Sequence, residues 1–404
     1  MTETVQWNPF ASGAREDPYP QYTALRRQGA VAQTEFGMWT LWRHGQVSQL
    51  LRSRLSVDET LVDPPTLGRQ LLEQALGGPR AEPLKGTLLE LDPPDHTRLR
   101  KLVSRAFTPR AIEALEPDVT RLVDEALDRI ADAGTVDLVE ALAFPLPFTV
   151  ISTMLGMPDV DAAELRRISG LLVRALEPVG DLDLLRAIAA AEEDMTALMT
   201  DVVAWKRHHP ADDMFTALIE AEADGDHLSE EELVRQVTLI YLAGHETTVN
   251  LISGGTLALL RHPGELQRLR DDPGLDGNAV EELLRYDSPV QLTRRVTLED
   301  MDIDGVTIPA RSFVLGVLAS ANRDEDVFGP DADRLRLDRR NAAAHVSFSA
   351  GVHHCLGAAL ARLEGRVAVP RLVRRFPDLA LAGEVHWNGR LNLRGPAALP
   401  VAVR

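Results

Sequence analysis

The stretch FSAGVHHCLG, Phe348 to Gly357, holds the only cysteine of a 404-residue chain. Beyond it the sequence turns helical: Leu356, Leu360, Leu363 and Val367 lie at i, i+4, i+7 and i+11, one apolar face. Cys355 therefore stands just before a helix N-terminus. Free N–H groups and the positive end of the helix dipole stabilise an anion there and lower a thiol's pKa. Gly351 and Gly357 let the backbone approach a bulky object closely. Taken alone, the cysteine has other readings. It would serve as a small buried hydrophobe. It would be a zinc ligand beside His345, His353 and His354, though without the usual paired spacing. It would be a nucleophile with a histidine base.

The rest of the chain is globular in composition, 45% hydrophobic and 26% charged. No polar linker and no internal repeat divides it, so residues 1–404 are expected to form one domain. One cysteine permits no internal disulfide, in keeping with a reducing cytoplasm. The start, MTETVQWNPF, has neither the positive nor the apolar region of a signal peptide. Ala141 to Pro158 carries no charge and just reaches the length of a spanning helix. Pro145, Pro147 and the hydroxyls of Thr149, Ser152 and Thr153 make it a loop running into a buried core helix. The net charge of −18 argues against nucleic acid and anionic membrane as partners.

Most of the sequence reads as helix. Ser229 followed by Glu232 has capping-box spacing, and His262-Pro263 ends the apolar pattern that follows. A helix over that span is about 50 Å long at 1.5 Å per residue. Two more helices, Asp161–Leu176 and Leu184–His208, flank a break at Glu177–Asp183 and read as a hairpin or a lid. Asp63–Pro94 is rich in proline and glycine and reads as a long irregular loop. Val296–Pro309 reads as a hairpin and Arg311–Leu318 as a strand. Pro370 should kink or interrupt the helix after Cys355. The class is mainly α with a minor β portion.

Inside the long helix lies AGHETT, Ala243 to Thr248. Gly244 there costs about 1 kcal/mol against alanine, and two threonines compete for backbone carbonyls. One reading is purely structural: close helix packing, with threonines bonded back to the preceding turn. Elsewhere, His96 and Arg100 share a helix face at i and i+4, and Glu282-x-x-Arg285 has the spacing of a common surface ion pair.

FSAGVHHCLGAALARLE resembles the haem-binding signature of the cytochrome P450 family, Phe-x-x-Gly-x-His-x-Cys-x-Gly, met by Phe348, Gly351, His353, Cys355 and Gly357. The resemblance runs from NPF near the N-terminus to RGPAALPV near the C-terminus and looks like the soluble bacterial branch, without a membrane anchor. It implies the P450 fold, with haem b buried between the long central helix and the cysteine-bearing segment. Cys355 would be the proximal iron ligand, a thiolate that pushes electron density toward iron and favours O–O cleavage. The implied activity is that of a monooxygenase. One atom of O2 enters a small organic substrate, by hydroxylation or epoxidation, and the other leaves as water. No GxGxxG fingerprint for flavin or nicotinamide appears, so ferredoxin and ferredoxin reductase are the expected electron donors to a cytoplasmic monomer.

The family's acid–alcohol pair falls on Glu246 and Thr247. The carboxyl would relay protons, and the hydroxyl would hold water and donate a hydrogen bond. Ala243 and Gly244 would leave room over the haem face, and His245 would be structural or part of a relay. His96, Arg100, Arg295 and His353 would meet the haem propionates, which need paired cations when buried; Arg294 competes with Arg295. Glu282 and Arg285 would form a buried scaffold pair, with Arg334 as third member. The lid helices, the Asp63–Leu91 loop and the residues after Ser288 would line the substrate pocket. The basic segments Asp92–Arg110 and Arg362–Arg375 would dock an acidic ferredoxin. Departures from the family pattern are Ser349, where glycine is common, Leu335, where phenylalanine is usual, and Pro370. The rival readings are a haem-thiolate peroxygenase or isomerase, and a non-catalytic haem sensor or carrier.

Overall fold

The computed structural model describes residues 4–35, 37–79, 84–223 and 225–403. Residues 1–3 of the N-terminal stretch and 80–83 of the Asp63–Pro94 stretch, both read above, lie outside the described residues.

The central helix runs Glu230–Arg261. The Ser229 hydroxyl accepts from the Glu232 N–H at 3.2 Å, and the Glu232 carboxylate accepts from the Ser229 N–H at 2.9 Å. This reciprocal cap satisfies donors the first turn would otherwise leave open. From Thr248 to Leu259 every residue is buried, as expected of a helix surrounded by others on all sides. Its neighbours are Pro145–Leu155, Leu182–His208, Asp276–Tyr286 and Ala358–Arg375, the helix that follows the cysteine. Their apolar faces merge into one large core.

A five-stranded mixed sheet lies to one side, in the order Thr4–Val5, Val31–Thr34, Trp39–Leu41, Phe313–Val317, Leu292–Val296. Phe313–Val317 runs parallel to Trp39–Leu41 and antiparallel to Leu292–Val296. The expected hairpin is Met301–Ile303 paired with Val306–Ile308.

Several expectations need correction. Asp63–Pro94 is not wholly irregular: Leu67–Leu76 is a helix, capped by the Thr66 hydroxyl on the Arg69 N–H and closed by Gly77 at a left-handed φ of 74°. Its Leu72 and Ala75 pack on Leu185; the prolines and glycines bracket this helix and do not fill it. Pro370 does not interrupt its helix, which is continuous over Ala358–Arg375 with Pro370 buried. Packing against the helix Glu116–Ile130 outweighs the one backbone bond proline forfeits. The segment at Ala141 begins in a π-helical turn, Val139–Ala143, and Pro145 is the first residue of the helix after it, a position where proline's missing N–H costs nothing. Among the described residues no helix is long and apolar enough to cross a membrane.

The lid pair is Ala162–Leu172, extended by a 3-10 turn over Val173–Leu176, and Leu182–His208. Asp161 and Asp181 cap them, each accepting two backbone N–H groups.

Candidate active site

Cys355 opens into a cavity of about 1770 Å³. Ala243, Gly244, Glu246 and Thr247 of the central helix line it, as do Phe348, His353 and Gly357 of the cysteine segment. The Leu67–Leu76 helix, residues Leu172–Gly180 at the lid break and Pro289–Leu292 complete the wall. The three segments expected to line a pocket therefore do so.

The cysteine turn is fixed by its backbone, the Cys355 N–H donating to the Phe348 carbonyl at 2.8 Å. Its glycines serve different ends. Gly351 has φ +67°, and a Cβ there would stand 2.4 Å from the Leu51 carbonyl oxygen. The bulky object it approaches is the helix His44–Arg52, not a ligand. Gly357 meets nothing within 4 Å and borders the cavity. Ser349 sits at φ +61°, a left-handed conformation that explains why glycine is common there. The Phe348 ring carries the Arg362 guanidinium 4.5 Å from its centroid. Arg362 in turn binds Glu281 at 2.6 Å, and His345 joins Glu281 at 3.1 Å.

The expected lowering of the thiol pKa is not found. Burial pushes the Cys355 thiol up, and the Gly357 N–H, Arg100 and Arg362 only oppose it. The helix begins at Ala358, three residues on, so its dipole acts from a distance. Thiolate formation is coupled to metal binding, since a coordinating thiol is deprotonated outright.

Across the cavity the threonines do what the structural reading of AGHETT requires. The Thr247 hydroxyl donates to the Ala243 carbonyl at 3.0 Å, and Thr248 to the Gly244 carbonyl at 3.3 Å. Both nonetheless border the cavity, Thr248 with almost no exposed surface. A Cβ on Gly244 would stand 3.0 Å from Ile151. That glycine lets the helix Pro145–Leu155 approach, and it also borders the cavity. His245 is buried among Phe144, Phe148 and Tyr241, with its Nδ1 2.8 Å from the Tyr241 carbonyl. Burial lowers its pKa, so it stays neutral as a core residue. Glu246 is ion-paired with Arg390, a residue the sequence reading missed. Nothing in the polar loop around Arg390 marks it in advance.

His96 and His353 lie with ring centroids 4.4 Å apart. Both ring nitrogens of His96 and Nε2 of His353 are buried without a hydrogen-bond partner among the described residues. Arg295 is 7% exposed and donates to Thr293 Oγ1 and the Arg294 carbonyl. Among the described residues it has no carboxylate within ion-pair distance. Burial, aided by Arg295, His96 and Arg100, pushes His353 down to about 3, and burial, with Arg294, pulls Arg295 down to about 10. Arg294 points to the other side of its strand and binds Glu59 at 2.9 Å and Glu90 at 2.7 Å. Arg100 donates to the His354 carbonyl at 2.7 Å. His96, His353 and Arg295, in no ion pair among the described residues, together with Arg100 suit a ligand with two carboxylates. A haem b has two propionates and an iron that takes a thiolate, and the cysteine and the donor wall border one cavity. The residues fit the group.

The scaffold pair is fully buried. Arg285 binds both Glu282 oxygens, at 2.7 and 2.8 Å, and donates to the carbonyls of Asn322, Ala332 and Arg334. The third member is Arg339, not Arg334: its Nε reaches Glu282 at 3.2 Å. Arg334 is exposed and offers only its carbonyl. Leu335, Leu337 and Arg339 alternate inward while Arg336 and Asp338 face out, a period-two pattern legible in the sequence.

The second basic segment is not a bare cationic face. Arg366 pairs with Glu116, Arg371 with Asp124, Arg374 with Asp276 and Arg375 with Asp128. Counting charge along one segment hides acids supplied by helices packed beside it. Arg105 and Arg110, in the first segment, remain exposed with no ion pair among the described residues.

The family model described as Cytochrome P450 matches residues 183–272 and 277–382. The chain is 41% identical to Cytochrome P450 107B1 of Saccharopolyspora erythraea, over 97% of this chain and 96% of that protein. It is also 41% identical to the Vitamin D(3) 25-hydroxylase of Pseudonocardia autotrophica, over 100% of this chain and 98% of that one. Among solved structures, the myxobacterial cytochrome P450 CYP267B1 in complex with myristic acid superposes with a TM-score of 0.88 at 36% identity, covering 98% of each chain.

Proposed function

The chain belongs to the cytochrome P450 family and is a haem-dependent monooxygenase, and from that premise we propose the roles of its residues, its substrate class and its electron donor. Cys355 holds the iron. His96, Arg100, Arg295 and His353 hold the propionates, with Phe348, Gly351 and Gly357 shaping the cysteine turn. Ala243 and Gly244 border the face where dioxygen and substrate meet. The observation that carries this reading is one cavity with Cys355 on one wall, Thr247 on another, and His353 at its edge with His96 packed behind it, their buried ring nitrogens without a partner among the described residues. When bound there, the haem supplies the reduction and splitting of dioxygen. The protein's own part is to exclude water, orient the substrate and deliver protons. The Thr247 hydroxyl, now donating to the Ala243 carbonyl, rotates to hold a water or the reacting oxygen. Glu246 passes protons inward from the Arg390 side.

The substrate is a bulky, neutral, largely aliphatic molecule. Leu172, Val173, Leu176, Ile188, Leu239 and Ile240 dominate the wall near the lid. The polar groups among them are already engaged: Gln236 with Leu88 and Gly86, Asn392 with Leu292 and Leu176. Such a wall recognises shape and burial. The named substrate of the vitamin D(3) hydroxylase is of that kind, and the myristic acid held by the solved relative shares the aliphatic character. Electrons come from a ferredoxin and its reductase, docking near Arg105 and Arg110, and the enzyme works as a cytoplasmic monomer.

The test is Thr247→Ala in the reconstituted enzyme, with a substrate found by its shift of the haem spectrum. Haem and substrate binding should persist, while product per electron pair falls several-fold and peroxide rises. Unchanged coupling removes Thr247 from the mechanism.

A further inference from the structure

A four-residue loop near the C-terminus, Arg390 to Leu393, joins the lid to the acid of the central helix. The Glu177 carboxylate, at the lid break, accepts three consecutive backbone N–H groups. They come from Leu391 at 2.7 Å, Asn392 at 2.9 Å and Leu393 at 2.8 Å. Successive N–H groups converging on one anion form a nest, and bonds to a charged acceptor are the strong ones. Asn392 adds a bond from its side chain to the Leu176 carbonyl at 3.3 Å. At the loop's other end Arg390 grips Glu246, with only 13% and 15% of the two side chains exposed. The loop's far side is pinned to the strand that lines the cavity. Gln291 donates to the Asn392 carbonyl at 2.9 Å and Leu292 to the Asn392 side chain at 3.0 Å.

We infer that Arg390 is a positioning residue for Glu246 and that Glu177 is the latch through which the lid sets its hold. With the lid docked, Glu177 orders the nest and Arg390 keeps Glu246 in place. With the lid lifted, the nest loses its anion, the loop slackens and the grip on Glu246 loosens. Substrate entry and exit, which need the lid to move, are thereby linked to the readiness of the proton path. The functional half rests on the reading of Glu246 as the relay acid; the latch itself does not. Linkage makes the effect reciprocal: loosening Arg390 must also loosen the lid.

Hydrogen exchange of the holoenzyme tests the latch without turnover. The amides of Leu391, Asn392 and Leu393 should be protected, and Glu177→Ala should raise their exchange at least about tenfold. Glu177→Gln, which keeps a neutral acceptor, should fall between. Arg390→Gln should raise exchange across residues 176–182, and Arg390→Lys should largely restore it. Turnover tests the coupling, using a surrogate ferredoxin system and the pH profile of reductant consumption. Glu177→Ala and Arg390→Gln should shift that profile in the same direction, and the double variant should add little. Unprotected loop amides in the wild type, or lid exchange indifferent to Arg390→Gln, would overturn the latch. Independent, multiplicative effects of the two variants would overturn the coupling. Glu246→Gln with unaltered consumption would sink the relay reading and the functional half with it, while exchange still decides the latch.

Discussion

Replacing Arg285 by lysine keeps the charge and should still cripple the fold behind the cysteine. The guanidinium uses all five of its N–H groups: two on Glu282 and three on the carbonyls of Asn322, Ala332 and Arg334. Both Arg285 and Glu282 have no exposed surface. An ammonium has three donors and no planar fork, so at least two of these five bonds are lost, although Glu282 Oε1 keeps its bonds from Arg336 and Arg339 and the Arg334 carbonyl keeps its bond from Arg339. A hydrogen bond from a charged group contributes about 1.5–3 kcal/mol, so losing two gives roughly 3–6 kcal/mol. Against a total stability of about 5–15 kcal/mol, a loss of that size lowers the unfolding midpoint markedly. Guanidinium unfolding of the holoenzyme at neutral pH measures the loss. Arg121→Lys is the control, because Arg121 and its partners Asp118 and Glu125 are half exposed and such pairs contribute about 0–1 kcal/mol. If Arg285→Lys costs under about 1 kcal/mol, the five-bond account of this residue is wrong.

Arg105→Glu should slow reduction by ferredoxin several-fold at low salt and leave substrate affinity intact, with the wild-type rate falling as salt rises; a rate indifferent to both places the donor elsewhere. Arg366 is a poorer choice, since reversing it sets two acids together at Glu116. Burial works to raise the Glu281 carboxyl, but hydrogen bonds from His345 and Arg362 overcome it and hold it at about 2, below its ordinary 4.5. A depressed carboxylate contributes stability above its unfolded pKa and loses it as pH falls through the folded one. Glu281→Gln should therefore be less stable than wild type at pH 7, with the gap closing between about pH 4.5 and 2 in pH-dependent unfolding.

Local chemistry made the central helix readable: a capping box at one end and His-Pro at the other set its bounds to within a residue. The cysteine turn was readable because five signature positions, Phe348, Gly351, His353, Cys355 and Gly357, lie within one short stretch. The helix Leu67–Leu76 was hidden because the prolines and glycines around it dominate composition, whereas Thr66 and Gly77 mark its true ends. Arg390 and Glu177 were hidden for a different reason. Each makes its bonds more than a hundred residues away, and no local pattern encodes a contact that only the assembled fold creates. The upward push on the metal-free thiol was hidden because the helix dipole is visible in sequence while the desolvation imposed by neighbouring segments is not.

The central claim is that Cys355 ligates the iron, and carbon monoxide binding to the reduced protein tests it most directly. The wild type should show the long-wavelength Soret band of thiolate ligation. Cys355→His should retain a haem-sized cavity but show the shorter-wavelength band of a neutral nitrogen ligand. If wild type and variant give the same nitrogen-type spectrum, Cys355 is not the ligand and the account of this site falls.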